Sequence, residues 1–302
     1  MARRRTAVQN VVEYLVASVA VTLADAVPLR VSMAAARGVG DLAFRLLYRR
    51  RRLSISNILR AGITTDEREA TRIARESFRH FSMLTVESLA SSKLLTPETL
   101  DTYIELDTTP ETRALMADPT QGILFVTPHL GNWEITGSAL SLMKPLVAVA
   151  RSMDNPLFRG LMRRRNPRRA MEIVEKHASD RLSLLRALKS GKGLALLVDQ
   201  HAASNGVMVP FFGIPASTVT SPARLHLATR CPIIYGYGYR ISPMHHKIKA
   251  SAPLVYEPTG DREADILRIT ADLNEKLADC IRECPEQYLW SHRRWRDPAL
   301  PC

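Results

Sequence analysis

The sequence predicts an α/β protein with a mostly parallel central sheet flanked by helices. From Gly122 onward, short apolar runs recur at 123–127, 146–150, 171–174, 194–198 and 232–239. Each is the length of a strand buried on both faces. Helical patterns lie between several of them, at 179–190 and 221–230, and such alternation argues for parallel strands joined by crossover helices. With 302 residues, 46% of them hydrophobic, the chain can bury a full core.

The elements follow in order. Residues 11–60 read as helical, with breaks expected near Pro28 and at Gly38 and Gly40. A second helical block covers 64–95. Thr64 and Glu67 suit a capping box there, and Ile73, Phe78, Phe81, Leu84 and Leu89 recur at approximately helical spacing. Pro97 and Pro110 punctuate the passage into the α/β part. Ser179 is a candidate cap and Gly191 a stop for the helix at 179–190. In 247–254, Ile248, Ala250 and Ala252 alternate with polar residues, which suits an edge strand, and an amphipathic helix at 261–283 ends before Pro285. No internal repeat or low-complexity linker divides the chain. The expected organisation is a helical region, 1–95, that includes a membrane-associating stretch at about 10–30, followed by an α/β domain, 96–302.

Lys and Arg outnumber Asp and Glu by 42 to 30. The arginines cluster at 3–5, 49–52, 163–169 and 293–296. Such patches suit anionic lipid, nucleic acid or an acidic carrier protein, or are solvated faces. Arg3 to Arg5 precede an uncharged run at 14–24, far short of the ~20 residues a spanning helix needs. Glu13 stands at its front and argues against a secretory leader. A basic, apolar segment of this kind suits the membrane interface; a tilted spanning anchor and an ordinary core helix are the alternatives. Cys231, Cys280, Cys284 and Cys302 have no framework spacing, which fits reduced structural thiols.

The chemistry concentrates at Thr127-Pro128-His129-Leu130-Gly131-Asn132-Trp133-Glu134. In open α/β sheets ligands bind beyond the carboxyl ends of strands, where this segment falls. A histidine side chain in general titrates near neutrality, and a carboxylate close by can fix its tautomer and stabilise its cation. Glu134 lies near the start of the following helix and is the candidate partner. Gly131 lets backbone approach closely, while Asn132 either caps the helix or donates to an oxyanion. The plainer alternative is a surface histidine near a glutamate that suits the helix dipole. Metal catalysis is disfavoured, because no second histidine stands at helical ligand spacing from His129.

His129-Leu-Gly-Asn-Trp-Glu134 resembles the HX4E motif of the bacterial lipid A biosynthesis acyltransferases, the late lauroyl and myristoyl transferases of the lysophospholipid acyltransferase superfamily. These are related to the mycobacterial phosphatidylinositol mannoside acyltransferases. Arg151-Ser-Met-Asp-Asn155-Pro156 is similar to the family's Arg-x-x-x-Asn-Pro block, and Val198-Asp199-Gln200 to its Pro-Asp-Gln. Val209-Pro-Phe-Phe-Gly213-Ile-Pro-Ala216 resembles its Phe-Phe-Gly block, and Pro285-Glu-Gln-Tyr-Leu-Trp290-Ser-His-Arg-Arg-Trp295 its C-terminal block. Together they span about 120–302.

The resemblance implies transfer of a fatty acyl chain from a thioester, on acyl carrier protein or coenzyme A, to a hydroxyl of a glycolipid. The setting it implies is the cytoplasmic face of the inner membrane, with the membrane surface as a partner, no nucleic acid and no cofactor. His129 is then the general base and Glu134 the group that holds it, with no covalent acyl-enzyme. Asn132, Arg151, Asn155, Arg165, Arg168 and Asp199 are the implied substrate-binding positions, and the plainest role for Asp199 is to fix one of the arginines. Val198 stands where the family commonly has proline, and His201-Ala-Ala-Ser-Asn205 departs from its acidic-aromatic run; both leave the acceptor open. The Trp290–Trp295 segment is read as packed beside the sheet rather than as a nucleic-acid patch. Tyr235, Tyr237 and Tyr239 line one side of a strand, as core or as a wall for an acyl chain. The rival readings are a binding module without chemistry and a thioesterase in which water replaces the acceptor.

Overall fold

The computed structural model describes residues 9–11, 14, 18, 22, 26–150, 155–157, 160, 171–175, 181–203 and 206–296. The continuously described part opens with the helices α1 (Leu29–Leu46), α2 (Tyr48–Arg60) and α3 (Glu67–Leu94). A short helix α4 (Leu100–Tyr103) leads into β1 (Ile104–Thr108), α5 (Pro110–Ala117), β2 (Ile123–Thr127), α6 (Trp133–Met143), β3 (Leu146–Ala150) and β4 (Met171–Glu175). Then come α7 (Arg181–Lys189), β5 (Gly193–Leu197), β6 (Gly206–Phe211), β7 (Ile214–Val219) and α8 (Ser221–Thr229). The chain closes with β8 (Ile233–Ser242), β9 (His245–Ala250), α9 (Arg262–Glu283) and a 3-10 turn, Pro285–Gln287.

One seven-stranded sheet runs in the order β1-β9-β8-β2-β5-β3-β4, and β6 and β7 form a separate two-stranded ribbon. Every neighbouring pair in the main sheet is parallel except β8 with β9. This is the α/β class expected from the apolar runs. β2 is buried along most of its length because strands cover both its edges and helices both its faces. The core is continuous from Phe44, Ile58 and Ile73 in α1, α2 and α3 to Leu124, Leu194 and Ile233 in the sheet and Ile269 and Leu277 in α9.

Several local differences from the sequence reading have physical causes. α1 does not break at Gly38 or Gly40 but runs to Leu46. Gly40 is there for helix contact: a Cβ would lie 2.5 Å from the Arg79 Cα of α3, so the glycine lets two backbones touch. α3 is capped by Asp66, whose carboxylate accepts from Arg68 N–H, with Thr64 bonding Asp66 N–H instead of forming a box with Glu67. The strand at His245–Ala250 is not an edge, because β1 pairs outside it. The alternating Ile104-Glu-Leu-Asp-Thr108 is itself the edge, half-buried, with Glu105 and Asp107 ion-paired to Lys247 of its neighbour.

The alternating tyrosines and glycines of β8 serve two helices at once. Tyr237 is buried and stacks on Tyr239, and Lys276 of α9 lies over Tyr235, so this side is core. On the other side, a Cβ at Gly238 would lie 2.1 Å from Thr136 Oγ1 of α6. The glycine is what lets α6 sit on the sheet. Among the described residues no helix is long and apolar enough to cross a membrane. The stretch expected to meet the membrane, about 10–30, lies largely outside the described residues.

Gly40→Ala should lower stability by roughly 1–3 kcal/mol, the usual cost of overpacking, read as a shift in the urea midpoint with an unchanged slope. An unchanged midpoint would mean that α1 and α3 separate freely.

Candidate active site

The turn after β2 is built from strand register. β2 and β5 are parallel neighbours, with Thr127 opposite Leu197. Two residues further along each strand, His129 and Asp199 meet. The Asp199 carboxylate can only accept, so His129 Nδ1–H donates to Oδ1 at 2.7 Å, and the His129 backbone N–H donates to Oδ2 at 3.0 Å. Asp199 is 2% exposed. Burial opposes its charge, but the His129 ring beside it and the two hydrogen bonds outweigh that, holding the carboxyl below the usual range. With Nδ1 committed, Nε2 of the neutral ring carries the lone pair. The Gln200 side-chain nitrogen lies 3.4 Å from Nε2, and the Trp133 ring meets the imidazole edge-on at 5.0 Å.

The rest of the turn is clamped from three sides. Gly131 has φ 58°, and a Cβ there would stand 1.9 Å from the Gly238 carbonyl oxygen, so only glycine fits. Asn132 N–H donates to that same carbonyl at 2.9 Å. From the C-terminal segment, Gln287 C=O accepts from Gly131 N–H at 3.0 Å, and Leu289 N–H donates to the His129 carbonyl at 3.1 Å. The Gln287 amide meanwhile bonds both backbone groups of Arg240.

Below the turn sits a wholly buried carboxylate, Glu87 of α3. It accepts from Arg240 Nε (2.6 Å) and Nη2 (2.7 Å), and from Asn132 Nδ2 (3.2 Å). His246 Nε2 and the Met244 N–H are each 3.3 Å from it. Burial works to neutralise Glu87, yet the hydrogen bonds from His246 and Arg240 pull its pKa down to about 2. His80 completes the layer. Its Nδ1 accepts from Arg240 and its Nε2–H donates to the Gly131 carbonyl at 3.0 Å. Burial first, then the Arg240 charge, lowers the His80 pKa to about 3, so the ring is neutral.

The C-terminal block also fixes the Asp199 side. Arg294, 2% exposed, donates to the carbonyls of Gln200 and Ser217 and to Thr218 Oγ1. Tyr288 is buried against Asp199; burial and that carboxylate push its ionisation well above the ordinary value. Burial lowers the His292 pKa to about 4, with His129 and Asp199 within electrostatic reach.

The expected site residues fall into distinct groups. His129 and Asp199 are brought together, so the aspartate's described partner is the imidazole rather than an arginine. The His129–Glu134 contact is not among the hydrogen bonds or ion pairs of the described residues; Glu134 lies half-buried in the first turn of α6, beside Trp133. Asn132 takes the capping alternative: its Oδ1 accepts from Ile135 N–H, its Nδ2 is spent on Glu87, and it is 0% exposed. No face of it is left for a substrate. Asn155 is 4% exposed and bonds the Asn10 carbonyl and the Leu157 N–H. Arg151, Arg165 and Arg168 lie outside the described residues.

An imidazole poised by a buried carboxylate beyond the ends of parallel strands is a site for moving a proton at a substrate hydroxyl or water. The chain belongs to the bacterial lipid A biosynthesis acyltransferase family, whose model matches residues 2–297; it is an acyltransferase acting on a lipid. The lipid A biosynthesis lauroyltransferase of Escherichia coli (strain K12) is 24% identical over 269 residues, covering 86% of this chain and 83% of that protein. The palmitoleoyltransferase of the same strain is 22% identical over 269 residues, 85% of this chain and 82% of that one. The crystal structure of the 1-acyl-sn-glycerophosphate acyltransferase PlsC from Thermotoga maritima overlaps weakly, with TM-score 0.34 and 11% identity over 81% of this chain and 95% of that one.

The buried network makes stability depend on pH. His80 is depressed from 6.5 to about 3 and Glu87 from 4.5 to about 2. In both windows the unfolded chain binds more protons than the folded one. Stability should therefore be full above pH 6.5, fall as pH drops below it, and fall more steeply below 4.5. The slope is on the order of 1 kcal/mol per pH unit for each group. Urea midpoints measured above and below pH 6.5 check this; a flat profile would show that His80 is not held neutral.

Proposed function

We propose that this acyltransferase moves a fatty acyl chain from a thioester, carried by acyl carrier protein or coenzyme A, to a hydroxyl of a glycolipid. The acceptor resembles a lipid A precursor or a phosphatidylinositol mannoside, met at the cytoplasmic face of the inner membrane. The observation that carries the reading is the His129–Asp199 pair, with Nδ1 to Oδ1 at 2.7 Å and the opposite nitrogen left to receive a proton.

In this mechanism Nε2 takes the proton of the acceptor hydroxyl as its oxygen attacks the thioester carbonyl. The imidazolium so formed stands against the Asp199 carboxylate, which stays ionised and stabilises it. The tetrahedral intermediate then collapses, the carbon–sulfur bond breaks, and the departing thiolate takes the proton from Nε2. Bonds and protons balance with no acyl-enzyme and no added cofactor. The Gln200 amide, beside the reacting nitrogen, is the proposed donor to the oxyanion. Arg151, Arg165 and Arg168 are the proposed phosphate-binding positions, since a guanidinium fork matches phosphate geometry. Glu134, in the first turn of α6 next to Trp133, is assigned to the substrate side of the site, and Asp199 takes the part of orienting the ring.

His129→Ala should cost two to four decades in acyl-transfer rate, roughly the worth of general-base catalysis. Asp199→Asn should cost about as much, because the wrong tautomer is then favoured. Glu134→Gln should cost less than either. The assay is mass spectrometry of a glycolipid acceptor incubated with acyl thioester, with free acid measured in parallel. Undiminished transfer in folded His129→Ala would sink the mechanism. Glu134→Gln more damaging than Asp199→Asn would return the orienting role to Glu134.

A further inference from the structure

Helices α1 and α2 leave an apolar face and a cluster of cations that the His129 turn does not use. α1 buries Ser32, Met33, Ala36, Gly40 and Phe44, and Phe44 meets Phe78 of α3 edge-on at 5.4 Å. Its opposite face is apolar but open to solvent: Val31 is 54% exposed, Val39 58%, Leu42 53% and Leu46 70%. With Ala35, these residues follow the i, i+4, i+8, i+11, i+15 spacing of a single helical stripe. The stripe runs about 22 Å at 1.5 Å per residue. Leu47 and Tyr48, also more than half exposed, extend it to the head of α2. A soluble protein has no reason to align its exposed apolar residues this way.

Four arginines, Arg49 to Arg52, follow at once. Three of the four arginines of α3 are neutralised: Arg72 by Glu69 and Glu286, Arg75 by Asp41, Arg79 by Asp41 and Glu76. Among the described residues none of Arg49 to Arg52 is ion-paired to a carboxylate. Arg50 donates to the Ser291 carbonyl at 2.8 Å, Arg51 lies over the rings of Phe44 and Tyr48, and Arg52 lies over Tyr48. Arg49, Arg50, Leu53 and Arg293 line an open hollow of about 360 Å³.

We propose that this corner is the surface by which the protein sits on a bilayer containing anionic phospholipid. The stripe of α1 lies in the acyl boundary, and the hollow between Arg49, Arg50 and Arg293 takes a lipid headgroup phosphate. Charge and apolarity argue together for this occupant. A soluble phosphate would fill the hollow but leave the stripe in water. A second copy of the chain would bring two runs of unneutralised arginine against each other. An interfacial helix with cations at its end satisfies both halves of the surface. Arg50 ties the hollow to the segment 285–295 that clamps His129, so the seated face and the catalytic turn are parts of one rigid corner. The inference deepens the proposed function by naming the membrane surface, and it rests on that reading only in taking the acceptor to be a lipid.

Co-sedimentation of the full chain with phosphatidylcholine vesicles, with and without phosphatidylglycerol, tests it without turnover. Arg49→Gln should lower partition onto the anionic vesicles about fivefold, and adding Arg50→Gln about fivefold again. Val39→Asp with Leu46→Asp should weaken binding to vesicles of either composition; these positions are solvent-exposed, so the melting curve should stay unchanged. As a second measurement, the added fluorescence of Leu46→Trp should be quenched by lipids brominated in their acyl chains. His129→Ala should bind as the parent does, which separates failure of the surface from failure of the catalytic reading. Aspartate variants that bind like the parent, or a Leu46→Trp signal that bromolipid leaves untouched, overturn the proposal. Inorganic phosphate displacing the protein while the stripe variants bind normally would also overturn it, by making the hollow a site for a soluble anion.

Discussion

The parallel pairing of β2 with β5 is the constraint on which the site depends. Thr127 sits opposite Leu197, and the chains carry that register past the sheet, so a histidine and an aspartate 70 residues apart in sequence become neighbours. No side-chain search is needed to bring them together. Backbone hydrogen bonding, paid for by burying β2 on both edges, sets the distance. The ring is then oriented twice over, through its own Nδ1 and through its backbone N–H, by one carboxylate. A single acid thus fixes both the tautomer and the turn that carries the ring.

A second buried acid supports the same turn from below. Glu87 receives donors from Arg240, His246, Asn132 and Met244, while His80 reaches up to the Gly131 carbonyl. Taking such charges out of water is costly, and removing one partner leaves the other uncompensated, typically a loss of 3–5 kcal/mol or so. An apolar layer would give comparable stability. What the polar layer adds is direction, because each member accepts or donates along one line, and the Gly131–Asn132 peptide has one place to lie. Rigidity at this point suits a reaction that needs a proton acceptor held within hydrogen-bond reach of a hydroxyl.

Much of this was legible in the residues. The apolar runs at 123–127, 146–150 and 171–174 coincide with β2, β3 and β4, and the helices at 221–230 and 261–283 match α8 and α9 to within a residue or two. The location of His129 beyond a strand end also followed from texture alone. The partner of His129 did not. Sequence proximity points to Glu134, whereas contact is decided by which strands pair, and strand order is a property of the whole sheet. The same reason hid β1, a short polar-alternating edge, and the β6–β7 ribbon, whose Val209–Ala216 stretch reads as a motif rather than as two strands. Asn132 was open between cap and oxyanion donor, and only the depth of its burial beside Glu87 decides it. Glu87 and Arg240 carry no local signal at all, since a helical glutamate and a strand arginine look like surface residues until the fold closes over them.

The clamp on the His129 turn comes from a segment far away in sequence. Gln287 and Leu289 hold Gly131 and His129 by main-chain bonds, and Arg294 secures the peptide after Asp199. A nascent chain therefore cannot assemble this constellation until residues 285–295 have left the ribosome. Synthesis leaves the His129 turn unbraced until that segment has emerged. Clipping the segment away afterwards would release the turn without touching His129 or Asp199 themselves.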